Sequence, residues 1–183
     1  MLGLTELENQ FRPGDPGNAL EYLVGQLNLR AGAGTYAYVN PGSQLDGGQF
    51  LGGDAIAVGF VYKPSKVSVA LNTTIEKLDD SDVQAFDPAL LQQSTIGHIF
   101  NGANTSRASL AVTFRETATG EDFTAVINHL KSKSGAGTGA DADQGDGQGN
   151  WQHQRELAAT ALGVSPADAW YVGDTQDRDV VAG

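Results

Sequence analysis

The stretch 54–62, DAIAVGFVY, constrains the chain most, because it is apolar at both parities of an extended strand. Ile56, Val58, Phe60 and Tyr62 alternate on one side, and Ala55, Ala57, Gly59 and Val61 on the other. A strand with two apolar faces has to be covered on both, so it belongs inside a layered fold. At 183 residues and 40% hydrophobic, the chain can bury one sizeable core and has the usual length of a single domain.

The segments around that strand fill in the layers. Leu2–Glu8 reads as a strand whose end carries the carboxylates of Glu6 and Glu8. After a turn cluster at 13–18, Leu20, Leu23, Val24 and Leu27 fall at i, i+3, i+4 and i+7, one face of an amphipathic helix. Asn18 suits its N-cap and Gly32 its stop. The tyrosine-rich segment 35–39 alternates like a strand, 40–53 is a glycine and proline loop, 66–71 is a more polar strand, and 79–102 is mostly irregular. Residues 110–114 and 123–130 flank the turn Ala118-Thr119-Gly120-Glu121, which predicts a hairpin. A glycine and aspartate loop runs over 135–149, Asn150 is placed to cap a helix with Trp151, Leu157, Ala158, Ala161 and Leu162 along one stripe, and 169–172 forms a last short strand before Asp174. Sheets that pack on each other with helices outside make this an α+β fold.

Charge narrows the partners. Twenty-two acidic side chains face eleven basic ones, a formal charge of -11, which argues against nonspecific attraction to nucleic acid or an anionic membrane. Such a protein needs a cation or a local basic patch to hold phosphate. There is no cysteine, so neither a disulfide nor a thiolate metal site is possible. No apolar run approaches the length of a membrane span, and the start of the chain lacks the pattern of a signal peptide.

The chemistry-bearing side chains stand at strand ends. In 123–134, FTAVINHLKSKS, His129 shares a face with Phe123, Ala125 and Ile127 and sits where that apolar face meets the surface, with Lys131 and Lys133 beyond it. Taken alone, it reads first as a satisfied core histidine beside a solvated basic loop. Glu6, Arg107 and Asp174 stand at other strand ends, and polar groups at several strand ends are how layered α/β folds build sites. Carboxylates are hard ligands for magnesium or calcium, histidine can orient or deprotonate water or protonate a leaving oxygen, and arginine can grip phosphate with two donors. The acidic loop with Asp141, Asp143 and Asp146 fails the EF-hand spacing, having Gly145, Asp146 and Gln152 at positions 5, 6 and 12, which leaves only a looser calcium site open.

Six segments in order, GLTELEN (3–9), GDAIAVGFVYKP (53–64), SRASLAVTF (106–114), TGEDFTAVINHLKSKS (119–134), DADQGDGQGNWQHQR (141–155) and YVGDTQD (171–177), carry a resemblance to a known family. The chain resembles the deoxyribonuclease I-like endonuclease/exonuclease/phosphatase superfamily in its bacterial extracellular nuclease branch. That resemblance implies a four-layer α/β/β/α sandwich of two mixed sheets flanked by helices. The implied activity is metal-dependent hydrolysis of phosphodiester bonds in nucleic acid, DNA foremost, by a secreted enzyme using Mg2+, with Ca2+ or Mn2+ as alternatives. It assigns Glu6 and Asp174 as metal ligands and His129, Asp174, Glu6 and Gln176 to catalysis. Arg107, Tyr62, Asn128 and Lys131 are assigned to substrate binding. No protein partner is implied.

The departures matter as well. Gln176 stands where the family has asparagine, the helix after Trp151 reaches the 169–172 strand early, and the glycine-rich loop lacks the branch's frequent cysteines. The family's earlier strand with a metal-site asparagine and its closing Asp-His pair are not found in these residues, and His98 and His153 lie outside the matching segments. Residues 1–183 are therefore expected to form a single partial domain, weak or inactive on its own, with sheet edges uncovered. The alternatives are a phosphomonoesterase or lipid phosphodiesterase of the same fold, or a noncatalytic calcium-binding extracellular module.

Overall fold

A computed structural model describes residues 1–71 and 75–165; the expected strand at 169–172, with Asp174 and Gln176, lies outside the described residues. The chain divides into two compact units, Met1–Asp79 with Arg107–His129, and Asp80–Ser106 with the chain from Leu130 onward.

In the first unit, β1 (Leu2–Glu8), β2 (Ala37–Tyr38) and β3 (Ile56–Tyr62) form a sheet with β3 in the middle. Both pairings are antiparallel, with Leu2 opposite Val61 and Ala37 opposite Tyr62. The helix α1 (Ala19–Ala31) carries the chain from β1 to β2, which run the same way, and β3 fills the gap between them in the opposite sense. The second sheet centres on β6 (Ser109–Glu116), with β7 (Asp122–Ile127) along one side. Along its other side β4 (Val67–Val69) pairs with the far half and β5 (Ile75–Leu78) with the near half. Every ladder among the described residues is antiparallel, so the expectation of mixed sheets is corrected here: the one crossover helix joins strands that are not neighbours.

The two faces of β3 are covered as its sequence requires. On one, Gly59 lies so close to α1 that a Cβ there would stand 2.6 Å from Leu20 Cδ1. On the other, Phe60 meets Phe114 of β6 edge to face at 5.7 Å. Leu20 and Val24 of α1 are buried in this core, and Leu23 and Leu27 pack against it. Asn18 Oδ1 accepts the Glu21 N–H at 3.0 Å and Gly32, at φ 100, closes the helix, so both predicted caps are present. At this level the fold is α+β, with one helix and two packed antiparallel sheets in this unit.

β1 carries one irregularity. Leu4 pairs with Gly59 and Leu7 with Ala57, so Thr5 and Glu6 together oppose Val58 in a bulge, with Glu6 at φ 57. Leu4 and Leu7 are three apart, and the extra residue lets both oppose the helix-facing parity of β3.

In the second unit, α2 (Asp80–Phe86) and α3 (Pro88–Gln93) occupy the stretch expected to be irregular. Each buries a single residue, Val83 and Leu90, so no helical stripe marks them in the sequence. Asp87 before Pro88 was the available sign, since its side chain accepts the Leu90 N–H and proline suits the first helical turn. The last described helix, α4 (Gln152–Ala161), is not capped by Asn150, whose Oδ1 instead accepts the Gly137 and Asp143 N–H groups at 3.2 and 3.0 Å. The fully buried Asp141 does the capping from a distance: Oδ1 accepts the Gln154 N–H at 3.0 Å and Oδ2 accepts the Thr95 hydroxyl. A Cβ at Gly137 would collide with the Asp141 carbonyl, so glycine is required there. Asp141→Ala is expected to lower the unfolding free energy by about 2 kcal/mol. An unchanged urea midpoint would show that the cap contributes nothing.

Candidate active site

Four polar side chains of the first unit come together from four strand ends. Glu6 is turned outward by the bulge in β1, and Asp54 precedes β3. Arg107 precedes β6 and His129 follows β7, where the Arg107 N–H donates to the His129 carbonyl at 3.0 Å. His129 Nε2 lies 3.8 Å from Glu6 Oε1, and Arg107 Nε lies 3.4 Å from Asp54 Oδ2. Both are electrostatic contacts longer than a good hydrogen bond, a geometry common in catalytic groups before substrate arrives.

The environment of these groups is divided. The Glu6 side chain is 72% exposed, whereas those of His129 and Arg107 are 20% and 22% exposed. His129 Nδ1, Asn128 Oδ1 and Arg107 Nε are buried with no hydrogen-bond partner among the described residues. Buried polar atoms without partners carry a free-energy cost, and three in one short stretch of surface mark a place the fold does not satisfy by itself. A non-glycine residue held at positive φ, as Glu6 is, belongs to the same pattern of local strain at sites.

Burial pulls the His129 imidazole below its ordinary value of 6.5, the Arg107 charge adds to that, and the Glu6 and Asp54 carboxylates oppose it. The imidazole is therefore neutral at pH 7. The unfolded chain takes up this proton at higher pH than the folded one, so the linked stability is present above the ordinary value and is lost as pH falls below it. Urea unfolding at pH 7.5 and 5.5 should show a smaller drop in stability for His129→Gln than for the parent. An equal drop would remove His129 from the linkage.

Asp54 is the residue that sequence reasoning passed over. It stands at the head of the strand that most constrains the fold, behind Gly52 and Gly53, and its partner is far away in the chain. Beside it opens a cleft of 540 Å³ lined by Glu8, Asn9, Asp15, Phe50 and Asp54 among others, with no basic side chain in its wall. Such a wall repels anions.

Tyr62 is not joined to this group. Tyr62 stands at the far end of β3, four residues beyond Val58 and so about 13 Å along the strand, with its ring 5.7 Å from Phe114 and its phenol shifted upward by burial. Lys131 belongs to the second unit and is 8% exposed. Its ammonium donates to Ser132 O, Ser132 Oγ and Ser134 O and lies 5.2 Å over the Trp151 ring. The lysine is built into its loop instead of standing on a solvated basic patch. Nearby, the Arg155 guanidinium holds the glycine-rich loop through the carbonyls of Gln148 and Asn150. Asp143 and Asp146 accept backbone N–H groups from Gly145 and Gln148 in their own turns, and Asp141 is the helix cap, so these three carboxylates each serve the local fold.

Among the described residues no three His, Asp or Glu side chains gather into a metal shell. The exposed Glu6 carboxylate does suit magnesium, which is commonly held by one or two carboxylates with water filling the remaining positions. Asp174, the second predicted ligand, lies outside the described residues. No helix among the described residues is long and apolar enough to cross a membrane. Comparison with protein-family models, curated proteins and solved structures gave no match to this chain.

Proposed function

We propose that the chain belongs to a secreted, metal-dependent nuclease of the deoxyribonuclease I-like superfamily, with DNA as its substrate, and that residues 1–183 form part of its four-layer α/β/β/α domain. The observation that carries this reading is the meeting of Glu6, Asp54, Arg107 and His129 from four separate strand ends, with Arg107 Nε, His129 Nδ1 and the adjoining Asn128 Oδ1 buried and without a hydrogen-bond partner among the described residues. Arg107 supplies the positive charge that a chain of net charge -11 needs in order to hold a phosphate diester. His129, neutral at pH 7, takes a proton from the attacking water at Nε2, the nitrogen that faces Glu6. Glu6 would hold a magnesium ion, with Asp174 as the second ligand. When bound, that ion neutralises a nonbridging phosphate oxygen. Asp174 and Gln176 also complete the catalytic set, and Asn128, beside His129 in the chain, contacts substrate.

Supercoiled plasmid tests the reading: relaxation in magnesium by the full-length nuclease to which residues 1–183 would contribute, abolished by a chelator, is the expected result. Intact plasmid together with hydrolysis of a small phosphate ester or a phospholipid headgroup would move the site to a phosphomonoesterase or lipid phosphodiesterase of the same fold. Calcium uptake with no hydrolysis of any ester would leave the noncatalytic module.

A further inference from the structure

We propose that Asp54 is a positioning residue: its carboxylate sets the Arg107 guanidinium for a phosphate, and the buried Asn9 amide holds Asp54 in place to do so. The inference rests on the reading of Arg107 as the phosphate-binding cation. Asp54 is fixed at two points, since Oδ1 accepts the Ile56 N–H at 3.2 Å while Oδ2 lies 3.4 Å from Arg107 Nε. The loop that carries it is clamped by Asn9, which is 6% exposed. Asn9 Nδ2 donates to the carbonyls of Leu51, Gly52 and Asp54 at 3.3, 3.0 and 2.7 Å, and its Oδ1 accepts the Leu51 N–H at 2.7 Å. Its backbone N–H donates to Ala55 O at 3.1 Å. The loop cannot shift without breaking the bonds of a buried amide.

An arginine side chain has many rotamers, and the ordering of that chain opposes every bond it makes. Arg107 is anchored at both ends, at its backbone by the His129 carbonyl and at Nε by Asp54. A guanidinium approached at Nε keeps its two terminal nitrogens for a partner with two oxygens. The contact is too long to be a full hydrogen bond, and Arg107 Nε has no other partner among the described residues, so the cation is steered without being quenched.

Charge and position make opposite predictions for Asp54, which makes the role testable. Removing a carboxylate beside an anion site strengthens anion binding on Coulomb grounds alone. Loss of a positioning group weakens it. Binding of inorganic phosphate to the full chain by calorimetry reads the sign directly. We expect Asp54→Asn to weaken phosphate binding by up to about five-fold, the range for a partly exposed ion contact. Asp54→Glu, which keeps the charge but moves it outward, should weaken it as well. In an Arg107→Ala background, Asp54→Asn should cause no further loss. Tighter or unchanged binding in Asp54→Asn, with Arg107→Ala still weakened, overturns the positioning role and leaves the phosphate reading standing. Unchanged binding in Arg107→Ala overturns both. Melting curves of each variant establish that the folded protein is being compared, and Asp54→Glu gives the answer if Asp54→Asn does not fold.

Discussion

His129→Ala is expected to lower magnesium-dependent plasmid nicking by the full-length nuclease about 10²- to 10⁴-fold, the usual contribution of a positioned acid or base. Its effect on stability should be small or even favourable. The ring is largely buried with Nδ1 unpartnered among the described residues, so truncation removes an unsatisfied polar atom along with some packing. Loss of activity with retained folding separates a site residue from a core histidine, the two readings that the isolated strand left open. Below pH 6.5 the activity of the parent should fall as the imidazole gains the proton it must otherwise accept. Equal nicking rates for parent and variant would end the assignment of His129.

Phe114→Ala is expected to cost about 3–5 kcal/mol of unfolding free energy, the range for deleting a buried aromatic ring. Phe114 is fully buried on the central strand of its sheet, with Phe60, Tyr62 and Phe123 ring centroids at 5.7, 5.7 and 5.9 Å. It therefore joins β3 to β6 and β6 to β7 at once. Phe114→Leu, which keeps most of the apolar volume, should cost less. A loss under about 1 kcal/mol for the alanine variant in urea unfolding would mean that the two sheets are not held through this ring.

The parts of the fold legible in the sequence were those whose cause is local. The two-faced strand β3, the Leu20, Leu23, Val24 and Leu27 stripe with its Asn18 and Gly32 caps, and the hairpin of β6 and β7 all follow from spacing and turn residues. The helices α2 and α3 were hidden because each buries one side chain and so shows no period. The capping of α4 was misassigned to its sequence neighbour Asn150 because the true cap, Asp141, acts across a loop. Within the site, Glu6, Arg107 and His129 could be marked as strand-end polar groups, and the structure brings these three together. Asp54 could not be marked in the same way, since what distinguishes it is a contact with Arg107 in another segment and an amide clamp from Asn9. Lys131 shows the converse: a run of basic letters gives charge but not the carbonyls that the ammonium meets in the folded chain.

The bulge in β1 has a consequence for how this protein could change over time. Two residues, Thr5 and Glu6, share one partner, Val58, and the ladder is regular on either side. Deleting one of the two would restore ordinary pairing while keeping Leu4 and Leu7 opposite Gly59 and Ala57. A lineage losing Glu6 in this way would retain the β1–β3 pairing and discard the carboxylate, so a single codon separates this chain from an equally foldable descendant without a charge at the bulge.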